Sequence, residues 1–410
     1  MTNRRDFLKS SSLIAWGLSV PTFLGRTALA AQPADKPGAK DTILVVVQLT
    51  GGNDGLNTVI PFKDPEYVKL RPTINIPANQ VKKLNGEIGL HPAMDGLAGL
   101  LQDKALCVVQ GVGYPNPSQS HFRSMDIWQA GSTAENLSEG WIGKALKTVK
   151  TGAFHVAGGN ETAPLALTGS PNRVPSITSI EDFQLKMAAG NSSDQKNQKT
   201  VIESAAKIPT SKPGLLDFVQ KTALNTYASA KRLQEIGKNY QPKSTYPQTG
   251  LANRLKLAAQ LIDADLGARI FYVGIDGFDT HANQGGAAGQ QANLLGEVSG
   301  AITAFYKDLA ARGHGERLLV MTFSEFGRRA KENGSKGTDH GSGAPMFLVG
   351  GKVKPGVVGA HPSLTKLEIG NLVHHTDFRQ VYAAVLDNWL GVPSKSVLGR
   401  EYKPVDVLRT

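Results

Sequence analysis

The 410-residue chain has a single cysteine, Cys107, so no disulfide framework holds it together and its stability must come from burial and hydrogen bonding. Cys107 lies in the apolar run Leu106-Cys107-Val108-Val109, the setting of a buried, inert thiol. Val-Val-Gln follows it, so the C-x-P-x-R-like frame of a modifiable sulfatase cysteine is missing. Also missing are a G-x-x-x-x-G-K phosphate loop, an internal repeat, and any Lys/Arg stripe interleaved with aromatics. These absences argue against a P-loop nucleotide hydrolase, a solenoid and a nucleic-acid groove. No apolar run reaches the ~20 residues needed to span a bilayer. The net charge of +11 is scattered along the chain, which suits an anionic small molecule or an anionic envelope component as partner, not nucleic acid.

What is present begins at the amino terminus. Asn3-Arg4-Arg5-Asp6-Phe7-Leu8-Lys9 precedes an apolar stretch from Leu13 to Leu24, interrupted by Gly17 and Pro21, and then Ala28-Leu29-Ala30. This is a three-part export signal: the paired arginines are the address read by the twin-arginine translocase, and the small residues are a signal-peptidase site. Only Asn3, where Ser or Thr is usual, departs from the pattern. Residues 1–30 are therefore expected to be removed, with 31–41 a linker and 42–410 a domain that folds before export to the periplasm or beyond. No transmembrane segment is expected in the mature chain.

From Thr42 the pattern is that of an α/β protein. Ile43 to Leu49 is a near-continuous β-branched run, as in a strand buried on both faces of a parallel sheet. Similar runs recur at Leu106 to Gln110, Arg269 to Ile275, Leu318 to Phe323 and Met346 to Val349. Between Gln290 and Ala311 the residues Leu294, Val298, Ile302, Phe305 and Leu309 share one helical face. A last helix near Phe378 to Leu390 should stop at Gly391, with Pro393 beyond. Alternating strands and helices predict a doubly wound, mostly parallel sheet. Residues 180 to 265 contain the polar stretch Asn191 to Lys199 and helix-forming sequence without strong strands, so a helical insertion is expected there.

Residues fit for chemistry gather where strands end, the place at which open α/β sheets bind ligands. After the first strand, Gly51-Gly52-Asn53-Asp54-Gly55-Leu56-Asn57 reads equally as a tight turn and as a loop presenting Asp54 to a hard cation. After the second, Ser118 or Ser120 caps a helix that continues through His121 and Arg123. The same hydroxyl is also placed as a nucleophile, with helix amides and Arg123 holding an anion. Asp276, Asp279 and His281 follow the strand ending at Ile275 and can ligate one divalent ion. Glu325 follows the next strand, either as a ligand or paired with Arg328 or Arg329. Asp339 and His340 stand in the glycine-bracketed loop before Met346, which suggests close backbone approach.

The export signal, Gly51-Gly52-Asn53-Asp54-Gly55-Leu56-Asn57, Ser120-His121-Phe122, Phe278-Asp279-Thr280-His281, Ser324-Glu325-Phe326-Gly327-Arg328 and Asp339-His340-Gly341 together resemble the exported family called domain of unknown function 1501. The match runs the whole chain. That family is similar to the alkaline phosphatase and sulfatase superfamily, which implies an alkaline-phosphatase-like core with metals and nucleophile at the strand carboxyl ends. The resemblance implies Asp54 as the first-strand metal carboxylate and Ser120 as nucleophile, with His121 and Arg123 beside it. It also implies Asp279 or Asp276 with His281 and His340 around one metal. Glu325 stands where the superfamily has the Asp of an Asp-His pair, but Phe326 replaces the imidazole, so a second metal site is not expected to be complete. The function so implied is metal-assisted hydrolysis of a phosphate or sulfate ester, with one divalent ion (Zn, Mn, Ca or Mg). The alternative, from another class, is a non-catalytic exported binding or assembly protein with a remnant metal site.

Overall fold

The computed structural model describes residues 42–149, 151–159, 161–180, 237 and 239–409. The export signal, the linker through Asp41 and most of the expected insertion lie outside the described residues. The helix Gly250–Asp263 at the end of that stretch packs its apolar face into the core.

The main sheet contains β1 (Ile43–Leu49), β2 (Leu106–Gly113), β3 (Gly152–Val156), β4 (Ser176–Ile177), β5 (Ala268–Ile275), β6 (Leu318–Phe323), β7 (Ala344–Val349), β8 (Gly356–Val358) and β9 (Thr376–Asp377). Its order is β8-β2-β7-β6-β1-β5-β3-β4, with β9 also on β2. β1 is central and parallel to both neighbours, Val45 facing Phe271 on one side and Val320 on the other. The doubly wound, mostly parallel α/β sheet anticipated from the sequence is the fold.

Side-chain alternation along β1 explains the two layers, since successive residues point to opposite faces. Ile43, Val45, Val47 and Leu49 enter one apolar cluster, and Leu44 and Val46 enter the other. The first cluster takes in α1 (Asp95–Gln102), α3 (Gly250–Asp263) and α4 (Gln290–Ala311). The second takes in α2 (His121–Ala130) and α5 (Phe378–Val385). Cys107 is buried in the second, where desolvation pushes its thiol up to about 12. Among the described residues no helix is long and apolar enough to cross a membrane.

One strand departs from the buried-parallel reading. β7, the Met346 strand, runs antiparallel to β2 and β6. Its apolar run is the same because it too is buried on both faces, so hydrophobicity alone does not disclose its direction. The reversal has a consequence for the site. The start of β7 lies at the sheet end where the parallel strands finish, so the loop carrying His340 joins those after β1, β2, β5 and β6.

Gly51 and Gly52 allow those loops to close on one another. Gly51 has φ +118°, and a Cβ there would lie 2.4 Å from the Asp279 amide nitrogen. Gly52 has φ +77°, and its Cβ would enter the Phe326 ring at 2.4 Å. Both backbones and both spaces favour glycine.

Candidate metal centre

α2 is fixed from its apolar side. Trp128 stacks on Phe378 at 4.3 Å and on Phe323 at 5.6 Å, and Gly131 ends the helix at φ 67°. Ser120 is the N-cap residue, in extended conformation, but its hydroxyl makes no capping bond. The first helical turn therefore holds His121 over the sheet end. Ser124 ties this turn to the loop after β6 by donating to the Glu325 carbonyl.

His121, Asp279 and His340 bring one donor atom each within 4.8 Å of one another, a group that could hold a metal ion. His121 Nε2 lies 3.5 Å from Asp279 Oδ2, and His340 Nε2 lies 3.2 Å from Asp279 Oδ1. His281 joins from the other side, its Nε2 being 3.1 Å from Asp279 Oδ1 and 2.9 Å from His340 Nε2.

The far nitrogen of each imidazole faces an acceptor. His121 Nδ1 is 2.7 Å from Glu325 Oε1, His340 Nδ1 is 2.8 Å from the Gln119 carbonyl, and His281 Nδ1 is 3.5 Å from Asp339 Oδ1. Those partners favour the Nδ1–H tautomer, which leaves each lone pair on Nε2, the arrangement typical of metal-ligating histidine. His121 Nε2 is buried and has no hydrogen-bond partner. Two neutral imidazole lone pairs 2.9 Å apart, at His281 and His340, repel unless a proton or a cation faces them. The donor set thus fits a cation.

Electrostatics agree. Burial works to raise the Asp279 carboxyl, but the hydrogen bond and the charge of Arg328 outweigh it and hold the group down at about 2. Desolvation lowers His340, with Arg328 and His121 adding to the effect, so its imidazole stays neutral and able to donate. Phe326 packs beside both rings, with centroids 4.8 Å from His121 and 4.7 Å from His340.

Arg328 is the fastener of the site. Its buried guanidinium donates to Asp279 Oδ1 at 2.6 Å, to the carbonyls of Gly52 (2.7 Å), Thr338 (2.8 Å) and Phe278 (3.0 Å), and to that of Gly51. Three strand-end loops and the His340 loop meet on one side chain. Asn333 adds a smaller tie, donating to the His281 carbonyl and to Asp339 Oδ1, both at 2.9 Å.

The structure therefore brings Asp279, His281 and His340 together and adds His121, which the sequence had placed beside the nucleophile. Glu325 does not pair with Arg328 or Arg329; it orients His121 and accepts from the Gly51 amide at 2.8 Å. Asp339 stands behind His281. Asp276 is exposed and outside the group. Asp54 is elsewhere, both its oxygens bonded to Arg71 at 2.5 and 2.8 Å and Oδ2 also receiving Gln284 Nε2. Arg123 is not free to hold an anion at these donors, because its guanidinium donates to the carbonyls of Thr133, Ala134 and Glu135. Sequence reasoning missed Arg71, Gln119 and Gln284; nothing in their local sequence marks them, since each acts through a contact distant in the chain.

A mostly parallel α/β sheet with a histidine and aspartate group at its strand ends defines the class of this protein. The chain belongs to the family described as "Protein of unknown function (DUF1501)", whose model matches residues 41–403. None of the curated proteins matches it. Among solved structures it is similar to the zinc complex of the C-terminal periplasmic domain of EcEptC from Escherichia coli, at 12% identity and TM-score 0.35, over 77% of this chain and 74% of that one. It is similar also to the PsFucS1 sulfatase from Pseudoalteromonas sp., at 12% identity and TM-score 0.36, over 99% and 78%. A third is a protein in the alkaline phosphatase superfamily from Vibrio parahaemolyticus, at 11% identity and TM-score 0.37, over 92% and 76%. At such TM-scores these likenesses carry no argument about the site.

Proposed function

We propose that this chain holds one divalent ion, zinc in the first place, on His121, Asp279 and His340, and hydrolyses a phosphate or sulfate ester beside it. The observation that supports this reading is the buried, unpartnered His121 Nε2 aimed at Asp279 and His340. Two imidazoles and one carboxylate with an open position are a zinc-hydrolase type of ligand set. The bound ion would supply Lewis-acid polarisation of the ester oxygen. Ser120, exposed and free of a capping bond at the start of α2, is the nucleophile: its oxygen bonds to phosphorus or sulfur as the ester's alkoxide leaves, the serine proton passes through solvent to that alkoxide, and water then hydrolyses the seryl ester, releasing phosphate or sulfate and restoring the hydroxyl. The first amides of α2 face the resulting negative charge. His281 adjoins the donors of Asp279 and His340 as a fourth nitrogen.

The test uses mature protein with its metal content measured, assayed on phosphate and sulfate esters with Zn, Mn, Mg and Ca. The parent should carry close to one ion per chain and turn over an ester. Ser120→Ala should keep the ion and lose about 100-fold or more in kcat, the scale expected for removal of a nucleophile. Unchanged turnover in that variant would remove Ser120 from the chemistry.

The second reading, a non-catalytic binding or assembly protein, is favoured by a specific observation. Arg123 and Asp54, which a two-ion phosphatase site would need, are both committed to internal partners. Sub-stoichiometric metal together with no ester turned over would select it.

In either case we propose export to the periplasm by the twin-arginine translocase, on the strength of Arg4-Arg5 and the cleavage site that follows. Replacing both arginines with Lys should abolish the processed protein in the periplasm, because the receptor reads the pair and not charge alone. Processed protein at parental level would overturn the assignment.

A further inference from the structure

A cavity of about 510 Å³ that none of the metal donors lines is formed by Pro115 and Asn116, the turn Ser132 to Ala134, Arg379, and the segment around Arg400 and Tyr402. Its volume is that of a small-molecule site, well above what a lone ion fills. None of its lining residues carries a carboxylate.

The two arginines differ in how they are engaged. Arg379 is buried and paired in a fork with Asp377, Nε to Oδ1 at 2.8 Å and Nη2 to Oδ2 at 2.6 Å. Arg400 has no such partner: Nε donates to the Tyr402 hydroxyl at 2.7 Å, and its two terminal nitrogens meet no acceptor among the described residues. Both guanidiniums pack on the Tyr402 ring, with their central carbons 4.8 and 4.7 Å from its centroid. That stacking orders Arg400 at low entropic cost while leaving its outer edge open.

The facing turn has already had its negative poles removed. The carbonyls of Thr133 and Ala134 accept from Arg123, so they do not repel an anion, and the Ser132 and Thr133 side chains add hydroxyl donors to the lining. Of the three guanidiniums here, Arg123, Arg379 and Arg400, only Arg379 is ion-paired with a carboxylate among the described residues.

We propose that this cavity binds an oxyanion carried on a small organic ligand, such as a sugar bearing sulfate or phosphate, with Arg400 as the forked donor and the Ser132 and Thr133 hydroxyls as further donors. The site is independent of the metal centre. It lies near it in the chain: Asn116 and His121 are five positions apart, an extended reach of at most about 18 Å. One elongated polyanion is long enough to touch both.

The experiment is titration calorimetry on the full mature chain with three probes: sodium sulfate, glucose 6-sulfate and glucose 6-phosphate. Arg400→Gln and His340→Ala are titrated alongside the parent. The parent should bind at least one sugar ester more tightly than free sulfate. Arg400→Gln should weaken that binding by about 10-fold or more, as expected for loss of a charge-assisted fork, and Arg400→Lys should restore part of it. His340→Ala should bind as the parent does. Equal affinity for free sulfate and both sugar esters would reduce the cavity to a general anion site and overturn the claim of an organic ligand. Loss of binding in His340→Ala with Arg400→Gln unaffected would place the anion at the metal donors and overturn the whole proposal, as would failure of all three probes to bind the parent. Because Arg400 is exposed and His340 is not part of the cavity, failure here leaves the metal reading standing, and the reverse.

Discussion

His340→Ala is expected to lower the affinity for zinc by more than about 100-fold, beyond the ~10–100-fold typical of losing a partner behind a ligand. His340 is the pivot of the donor group: its Nε2 approaches Asp279 Oδ1 at 3.2 Å and His281 Nε2 at 2.9 Å, and its Nδ1 is anchored on the Gln119 carbonyl. Phe326 fills one side of the ring, and His281, the one adjoining nitrogen, approaches Asp279 on the oxygen that Arg328 already occupies. His121→Ala should do nearly as much, whereas His281→Ala should do less if the ion sits on the His121 side. Glu325→Gln should fall within the smaller range, since the amide still reaches His121 Nδ1 but no longer draws its proton. Competition with a chromophoric zinc chelator measures all four. Parental zinc affinity in His340→Ala would show that these donors do not share an ion.

The frame for these donors was largely legible in the sequence, and for a physical reason. Strands buried on both faces leave continuous β-branched runs, and β1, β5 and β6 were all visible as such. Strand direction was not, because burial and not polarity of pairing sets composition, and so β7 read like its parallel neighbours. The same divide appears in the site. Asp279, His281 and His340 stand in dense clusters of ligand-type residues with glycine nearby, a local signal. The fates of Asp54 and Arg123 are decided by contacts across the fold, Arg71 in one case and the Thr133 to Glu135 carbonyls in the other, and a strand-end carboxylate looks the same in sequence whether it meets a cation or a guanidinium. His121 was singled out by its motif, but only the Glu325 contact turns its Nε2 toward Asp279. Glu325 itself reads as a ligand until its side chain is seen behind the imidazole.

The largest stability effect should come from Arg71. Its side chain and that of Asp54 are both fully buried and joined in a two-bond fork. Arg71 also donates to Asn57 Oδ1 at 2.8 Å, to the Ala330 carbonyl at 3.0 Å and to the Arg329 carbonyl at 3.1 Å. One cation thus joins the loop after β1 to the segment that follows Arg328. Arg71→Met keeps much of the volume but leaves the Asp54 carboxylate buried with Gln284 as its remaining side-chain partner. Breaking a buried pair from one side costs about 3–5 kcal/mol, because the stranded charge has lost its compensation. Asp54→Asn with Arg71→Met should recover part of that loss, since an amide needs no counter-charge, and urea unfolding of the single and double variants measures both. A loss under about 1 kcal/mol in Arg71→Met would mean that water reaches the carboxylate. The pair also limits the metal count. Asp54 could serve a second ion only by giving up Arg71, and Phe326 offers that ion no nitrogen, so at most one ion per chain should be tightly held. Zinc titration of the parent should saturate at one tight equivalent. Two tight equivalents in the folded parent would require the Asp54–Arg71 fork to open, and would overturn this account of the buried pair.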